Sequence, residues 1–212
     1  MTLFKEYRAS NNILVKDGAV YYYGKILSYE EANQHLDLLM RNIQWENDDL
    51  VFFGKRVTTK RKVAWYGDSE YRYTYSSTTK QALAWTKDLS ELKQIVEKYA
   101  GTKFNSCLLN LYHNGNEGMG WHSDDEKPLG KNNTIASLSF GAERKFSFKH
   151  KQTKQTLSLV LEHGSLLIMK DSTQGNWLHS LPKSKNITQP RINLTFRTMH
   201  EEKIRIREVI VL

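Results

Sequence analysis

The chain's 212 residues suffice for one well-buried domain but not comfortably for two, and 39% hydrophobic residues with only 3 prolines exclude a disordered or low-complexity chain. A single cysteine, Cys107, excludes an intrachain disulfide, no apolar run approaches the ~20 residues of a membrane helix, and the N-terminus lacks the apolar stretch of a secretory signal. The net charge of +8 gathers in two places, 55–62 with five cations and no acid, and 144–154, which points to a polyanion such as nucleic acid. An intracellular protein is expected, cytoplasmic in a prokaryote and nuclear in a eukaryote.

In chain order, two helical patterns come first. Ser28 followed by Glu31 forms a capping box, and Ala32, Leu36, Leu39, Met40 and Ile43 recur behind it at helical spacing. A second pattern spans 88–100, with Leu89, Leu92, Ile95, Val96 and Tyr99 on one face and Gly101 as its stop. Between them the polar, aromatic-rich stretch 50–85 reads as hairpins and loops. From Ser106 onward short strands are predicted at 107–112, 134–140, 145–149, 157–162, 165–169 and 192–198. Turn-like segments at 115–118, 163–164 and 175–176 separate them. With no internal repeat and no linker, 1–212 reads as a single α+β domain, mainly β. Its expected form is a jelly-roll-like double sheet with helices outside.

The sharpest local feature is Trp121-His122-Ser123-Asp124-Asp125-Glu126. Residues two apart in extended backbone point the same way, so His122 and Asp124 can grip one metal. His179, beside the late strands, is the natural third ligand. Two histidines and a carboxylate leave three positions open, the set of a non-haem Fe(II) oxygenase, although zinc accepts the same ligands. In the last strand Arg191, Asn193, Thr195 and Arg197 alternate with Ile192, Leu194 and Phe196, so four polar groups share one face. Two inward guanidiniums are costly to bury alone, and a dicarboxylic acid would satisfy both. Asn110 and Tyr112, two apart on an earlier strand, supply further inward polar groups. The other reading of the last strand is an amphipathic edge with a solvated basic face.

In order and spacing, Asn110-Leu111-Tyr112, His122-Ser123-Asp124, His179 and the run from Arg191 to Arg197 resemble the AlkB family of Fe(II)- and 2-oxoglutarate-dependent dioxygenases. The resemblance covers roughly residues 50–200. It implies a double-stranded β-helix core at about 106–200, preceded by helices and a nucleotide-recognition lid at about 50–85. It implies Fe(II) at His122, Asp124 and His179. For 2-oxoglutarate it implies Asn110, Tyr112, Arg191, Asn193, Thr195 and Arg197, with Arg191 at the far carboxylate and Arg197 near the metal-proximal one. Decarboxylation of 2-oxoglutarate with O2 would be coupled to hydroxylation of an N-alkyl carbon. The resulting hemiaminal releases an aldehyde and the unmodified base.

The stretch 52–75 is similar to the vertebrate homologue that repairs duplex DNA. By that resemblance Phe53, Gly54 and Lys55 form a finger that fills the gap left by a flipped base, and Tyr73, Thr74 and Tyr75 line the base pocket. Asp125 and Glu126 match acidic residues that read the base. A carboxylate there favours cationic bases such as 1-methyladenine and 3-methylcytosine. The expected partner is alkylated DNA, duplex included, met by a monomer with no membrane involved. An RNA demethylase of the same family and a non-catalytic nucleic-acid-binding module are the alternatives. Cys107 is expected to be buried filler, and His113, His150, His163 and His200 are given no role.

Overall fold

The computed structural model describes residues 11–52, 55–75 and 78–200, with the side chains of 48–57 and 72–80 outside the described set. The proposed finger residues Phe53 and Gly54, and the side chains of Lys55, Tyr73, Thr74 and Tyr75, therefore lie outside the described residues. Strand β1 (Ala19–Lys25) leads to helix α1 (Tyr29–Asn42), then β2 (Glu46–Phe52), β3 (Lys55–Gly67), β4 (Arg72–Tyr75), β5 (Thr78–Gln81) and β6 (Leu83–Ala84). Helix α2 (Lys87–Ala100) precedes β7 (Ser106–Tyr112), β8 (Met119–His122), β9 (Ile135–Gly141), β10 (Arg144–His150), β11 (Thr156–Leu161) and β12 (Ser165–Lys170). A short helix α3 (Thr173–Asn176), β13 (Trp177–Leu181) and β14 (Arg191–Arg197) complete the order. Among the described residues no helix is long and apolar enough to cross a membrane.

Local chemistry explains the helix ends. Ser28 Oγ accepts the Glu31 N–H while the Glu31 carboxylate accepts the Ser28 N–H, so the capping box is complete. At the end of α2, Gly101 takes the left-handed conformation at φ 67° and donates to the Glu97 carbonyl. The apolar stripe of α1 is narrower than its spacing predicts. Ala32, Leu39 and Ile43 are buried, but Met40, one position off that line, is exposed.

Two sheets form the jelly roll, antiparallel throughout except where β6 runs parallel to β3. The larger runs β1-β12-β9-β14-β7-β3-β2, with β6 beside β3, and the smaller runs β11-β10-β13-β8. Strand alternation makes the larger sheet two-faced. Leu109 and Leu111 of β7, Leu138 and Phe140 of β9, and Ile192, Leu194 and Phe196 of β14 pack against Leu39 of α1 and Leu89, Leu92 and Val96 of α2. The opposite face meets the smaller sheet, where Ile135, Leu167 and Met169 pack on Phe148, Trp177 and Leu181.

Several elements differ from the sequence reading. Strands β1, β8 and β13 were not predicted, and 175–176 is the end of α3 rather than a turn. The stretch 50–85 does contain hairpins, but β3 is also a long strand of the larger sheet, pairing with β7 from Lys62 to Gly67. Arg144 does not belong to a basic surface. It is buried, and its Nη2 donates to the carbonyls of Glu117 at 2.9 Å and Pro182 at 2.8 Å, tying two loops together. His150 is also buried, 3.1 Å from the Asp17 carboxylate, and its Nδ1 accepts the Gln152 and Thr153 N–H groups.

Candidate active site

The edge strand β8 lies antiparallel to β13 in a register that sets His122 directly opposite His179, with ring centroids 4.2 Å apart. The chain leaves the sheet after His122, and Asp124 turns back towards both rings. Its Oδ1 lies 3.7 Å from His122 Nε2 and 3.9 Å from His179 Nε2. One ligand atom from each of the three lies within 4.8 Å of the others. A carbonyl only accepts, so His122 Nδ1 donates to the Gly120 carbonyl at 2.9 Å, which fixes the ring with Nε2 towards Asp124. Burial takes the His179 pKa down to about 4 against the opposing pull of Asp124, so this ring is neutral at pH 7. Burial alone would raise the Asp124 carboxyl, but the Arg197 guanidinium 3.8 Å away leads the opposing charges and holds the group below its ordinary range. Two imidazoles and an ionised carboxylate are the donors Fe(II) takes, and Zn(II) would accept them as well.

Opposite stands β14, whose register places Arg191 across from Tyr112 and Asn193 across from Asn110. Its polar residues bond one another along the strand. Arg191 Nη2 donates to Ser139 Oγ and to Asn193 Oδ1, both at 2.9 Å, and Asn193 Nδ2 donates to Thr195 Oγ1 at 2.9 Å. The Arg191 guanidinium lies 5.7 Å from the Tyr112 ring centroid. Burial lowers its pKa to about 10, still well above neutrality, so it remains a cation in the interior. The Nε of Arg191 and the Nε of Arg197 are buried without a partner among the described residues. Arg197 Nη1 stands 3.8 Å from Asp124 and 3.9 Å from Glu126. Two buried cations with unused donors fit a small dicarboxylate such as 2-oxoglutarate.

A cavity of about 480 Å³ joins these features. His122, Asp124 and His179 line it, as do Asn110, Tyr112, Arg191, Asn193, Thr195 and Arg197, and also Asp125 and Glu126. The two acids differ. Asp125 is exposed and 3.4 Å from Lys151 Nζ, whereas burial raises the Glu126 carboxyl against the opposing effect of Arg197. Residues outside the sequence-derived set also face the cavity. Arg61, one of the run of cations at 55–62 that points to a polyanion, is instead buried on β3, and its Nη1 donates to Met119 Sδ at 3.4 Å. Val63 and Trp65, two and four residues on, line the same wall. Alternation is the signal that would have found them, but Val63-Ala64-Trp65-Tyr66 is apolar on both faces and hides its phase.

Residues 19–197 match the 2OG-Fe(II) oxygenase superfamily. The chain is 39% identical over 187 residues to alpha-ketoglutarate-dependent dioxygenase alkB homolog 3 of Bos taurus, covering 82% of this chain and 63% of that relative. It is 37% identical over 186 residues to DNA oxidative demethylase ALKBH2 of Homo sapiens, covering 82% of this chain and 71% of that protein. The chain spans a little under two thirds of the length of its alkB homolog 3 relatives. In fold it is similar to the solved structure of OsALKBH1, with a TM-score of 0.60 at 15% identity over 87% of this chain and 98% of that one. By sequence match, fold and the convergence of these side chains, the chain belongs to the 2OG-Fe(II) oxygenase superfamily, in its AlkB branch.

Proposed function

We propose that this protein is an oxidative demethylase of N-alkylated bases in DNA, of the 1-methyladenine and 3-methylcytosine type. The observation that carries the reading is a single cavity holding the His122, Asp124 and His179 donors, two buried guanidiniums and an acidic pair. The name of the human relative, a DNA oxidative demethylase, supports the substrate class.

In this reading His122, Asp124 and His179 hold the iron. Arg191 takes the far carboxylate of 2-oxoglutarate, its guanidinium oriented by Ser139 and Asn193. Arg197, with Asn110 and Thr195 on the same wall, serves the carboxylate nearer the metal. Held there, iron with 2-oxoglutarate and O2 would supply the oxidation, one oxygen atom going to the N-methyl carbon and the other to succinate with loss of CO2, and the hydroxylated methyl would leave as formaldehyde to free the base. Val63, Trp65 and Leu181 keep the cavity wall apolar and limit competing water. Asp125 and Glu126 favour a cationic base over a neutral one. Outside the cavity Lys149 lies 4.4 Å from the ring of the exposed Trp121, and with the exposed Lys145 it offers charge to a phosphate backbone. The reading extends to duplex DNA on the likeness of Phe53, Gly54 and Lys55 to a base-gap finger.

The test is turnover on methylated single-stranded DNA, duplex DNA and RNA of one sequence, reading succinate and formaldehyde together. Coupled release on DNA is expected. Faster turnover on RNA would move the substrate, and binding without product on all three would make the protein a nucleic-acid-binding module.

A further inference from the structure

Asp124 is supplied by a segment, residues 123–126, that lies outside any strand. No ladder serves its backbone, and a buried N–H without an acceptor is costly. The Asp124 N–H finds one in the Oε1 of Gln174, 2.9 Å away and distant in sequence. Gln174 is itself buried, and its Nε2 rests 3.3 Å from Met169 Sδ. Its main-chain carbonyl accepts from Lys151 Nζ at 2.9 Å, and that ammonium stands 3.4 Å from the Asp125 carboxylate. Gln174 lies on α3, which runs directly into β13 and so to His179. One residue is thus bonded to the segment carrying Asp124 and joined by short chain to His179.

We propose that Gln174 is the positioning residue of the metal site, holding Asp124 at ligand distance from the two histidines. The inference rests on the metal role given above to His122, Asp124 and His179. A carboxylate on an unanchored loop would have to be ordered at each binding event, at an entropic cost the metal must overcome. The amide of Gln174 does that ordering in the folded chain. Lys151 extends the anchor to Asp125, so the metal-facing and base-facing acids are held from one point. The role needs an acceptor at the end of a side chain of this length, which separates it from simple filling of the core.

Two substitutions divide those possibilities. Gln174→Met keeps length and approximate volume but removes the acceptor, whereas Gln174→Glu keeps an oxygen at the same reach. Calorimetric titration of the metal-free protein with cobalt(II), with no nucleic acid or 2-oxoglutarate present, reads the affinity directly. Gln174→Met should bind cobalt(II) roughly ten- to a hundredfold more weakly. Gln174→Glu, which keeps the acceptor oxygen, should bind within a few-fold of wild type. The thermal midpoints of both metal-free variants should fall, Gln174→Met for its orphaned N–H and Gln174→Glu for its buried carboxyl, so affinity and not stability separates the two. Unchanged affinity in Gln174→Met overturns the proposal, and so does a loss that Gln174→Glu shares. Should Gln174→Met fail to fold, hydrogen exchange on the wild-type protein decides. The Asp124 amide should be protected without metal, and exchange at the rate of an open loop overturns the proposal. Wild-type protein that binds no cobalt(II) would overturn the metal reading and this inference together, whereas wild-type binding with no change in Gln174→Met overturns the inference alone.

Discussion

The two faces of the larger sheet are built from the same strands under opposite rules. Towards the helices, Leu109, Leu138, Ile192, Leu194 and Phe196 are fully buried, and they ask of one another only shape and volume. Towards the cavity, Asn110, Arg191, Thr195 and Arg197 are also buried and Asn193 is half-buried, all of them polar and two of them cations. A lone buried charge is among the most expensive groups a fold can hold. The cavity face is therefore a net cost to the empty protein, and the helix face offsets it. A substitution on one face should read out in stability, and one on the other in ligand binding.

The largest expected effect is at the metal. His179→Ala should remove demethylation below detection, read as formaldehyde release, while the thermal midpoint of the metal-free protein stays near wild type. The ring is neutral and faces the other two donors across β8 and β13, so normal turnover by the variant would break the comparison. Next comes Arg191→Met. Losing the charged partner of a buried carboxylate costs about 2–5 kcal/mol, so the apparent affinity for 2-oxoglutarate should fall by roughly thirtyfold or more. Without co-substrate the variant should be as stable as wild type or more so, because the lone charge is gone. Lower stability with unchanged 2-oxoglutarate affinity would make the cavity face ordinary core.

Leu194→Ala, three residues along the same strand but facing the helices, should show the reverse. Its unfolding free energy in denaturant should drop by about 2–5 kcal/mol, with 2-oxoglutarate affinity per folded molecule unchanged. The smallest effect sharpens the same contrast through pH. Burial lowers the His163 pKa, with Glu143 opposing, and its Nδ1 accepts the Gly141 N–H at 2.9 Å. The folded state therefore favours the neutral ring. That stability is present above the unfolded pKa of about 6.5 and is lost as pH falls towards the lower folded value. His163 is partly exposed and screened, so acidification from about pH 7 to 5 should lower the thermal midpoint by on the order of one degree more in wild type than in His163→Asn. Cobalt(II) affinity at fixed pH should not differ between the two.

Much of this contrast was legible before folding. The alternation from Arg191 to Arg197 places four polar groups on one side of β14 and three apolar ones on the other, as observed. Ser28 and Glu31 announced the start of α1. The pair His122 and Asp124 was visible because two residues of spacing suffice to read it. Less legible were β8 and β13, each too short and too mixed in composition to show a period. Arg61 and Arg144 were misread together. A run of cations looks solvated in one dimension, and only burial shows that Arg61 faces the cavity while Arg144 ties loops to the carbonyls of Glu117 and Pro182.

By itself, then, the sequence determined which side chains share a face within each strand, where the helices begin and end, and which residue types could serve a metal and a dicarboxylate. These are local properties, dictated by backbone geometry over a few residues. Only the tertiary structure decided that His122 meets His179 across β8 and β13, that Asn110 and Tyr112 oppose Asn193 and Arg191, and that Gln174 supplies the acceptor for Asp124. Those pairings join segments far apart in the chain. Their register is selected by closing two apolar cores at once, because a one-residue slip would turn every buried face to the wrong side.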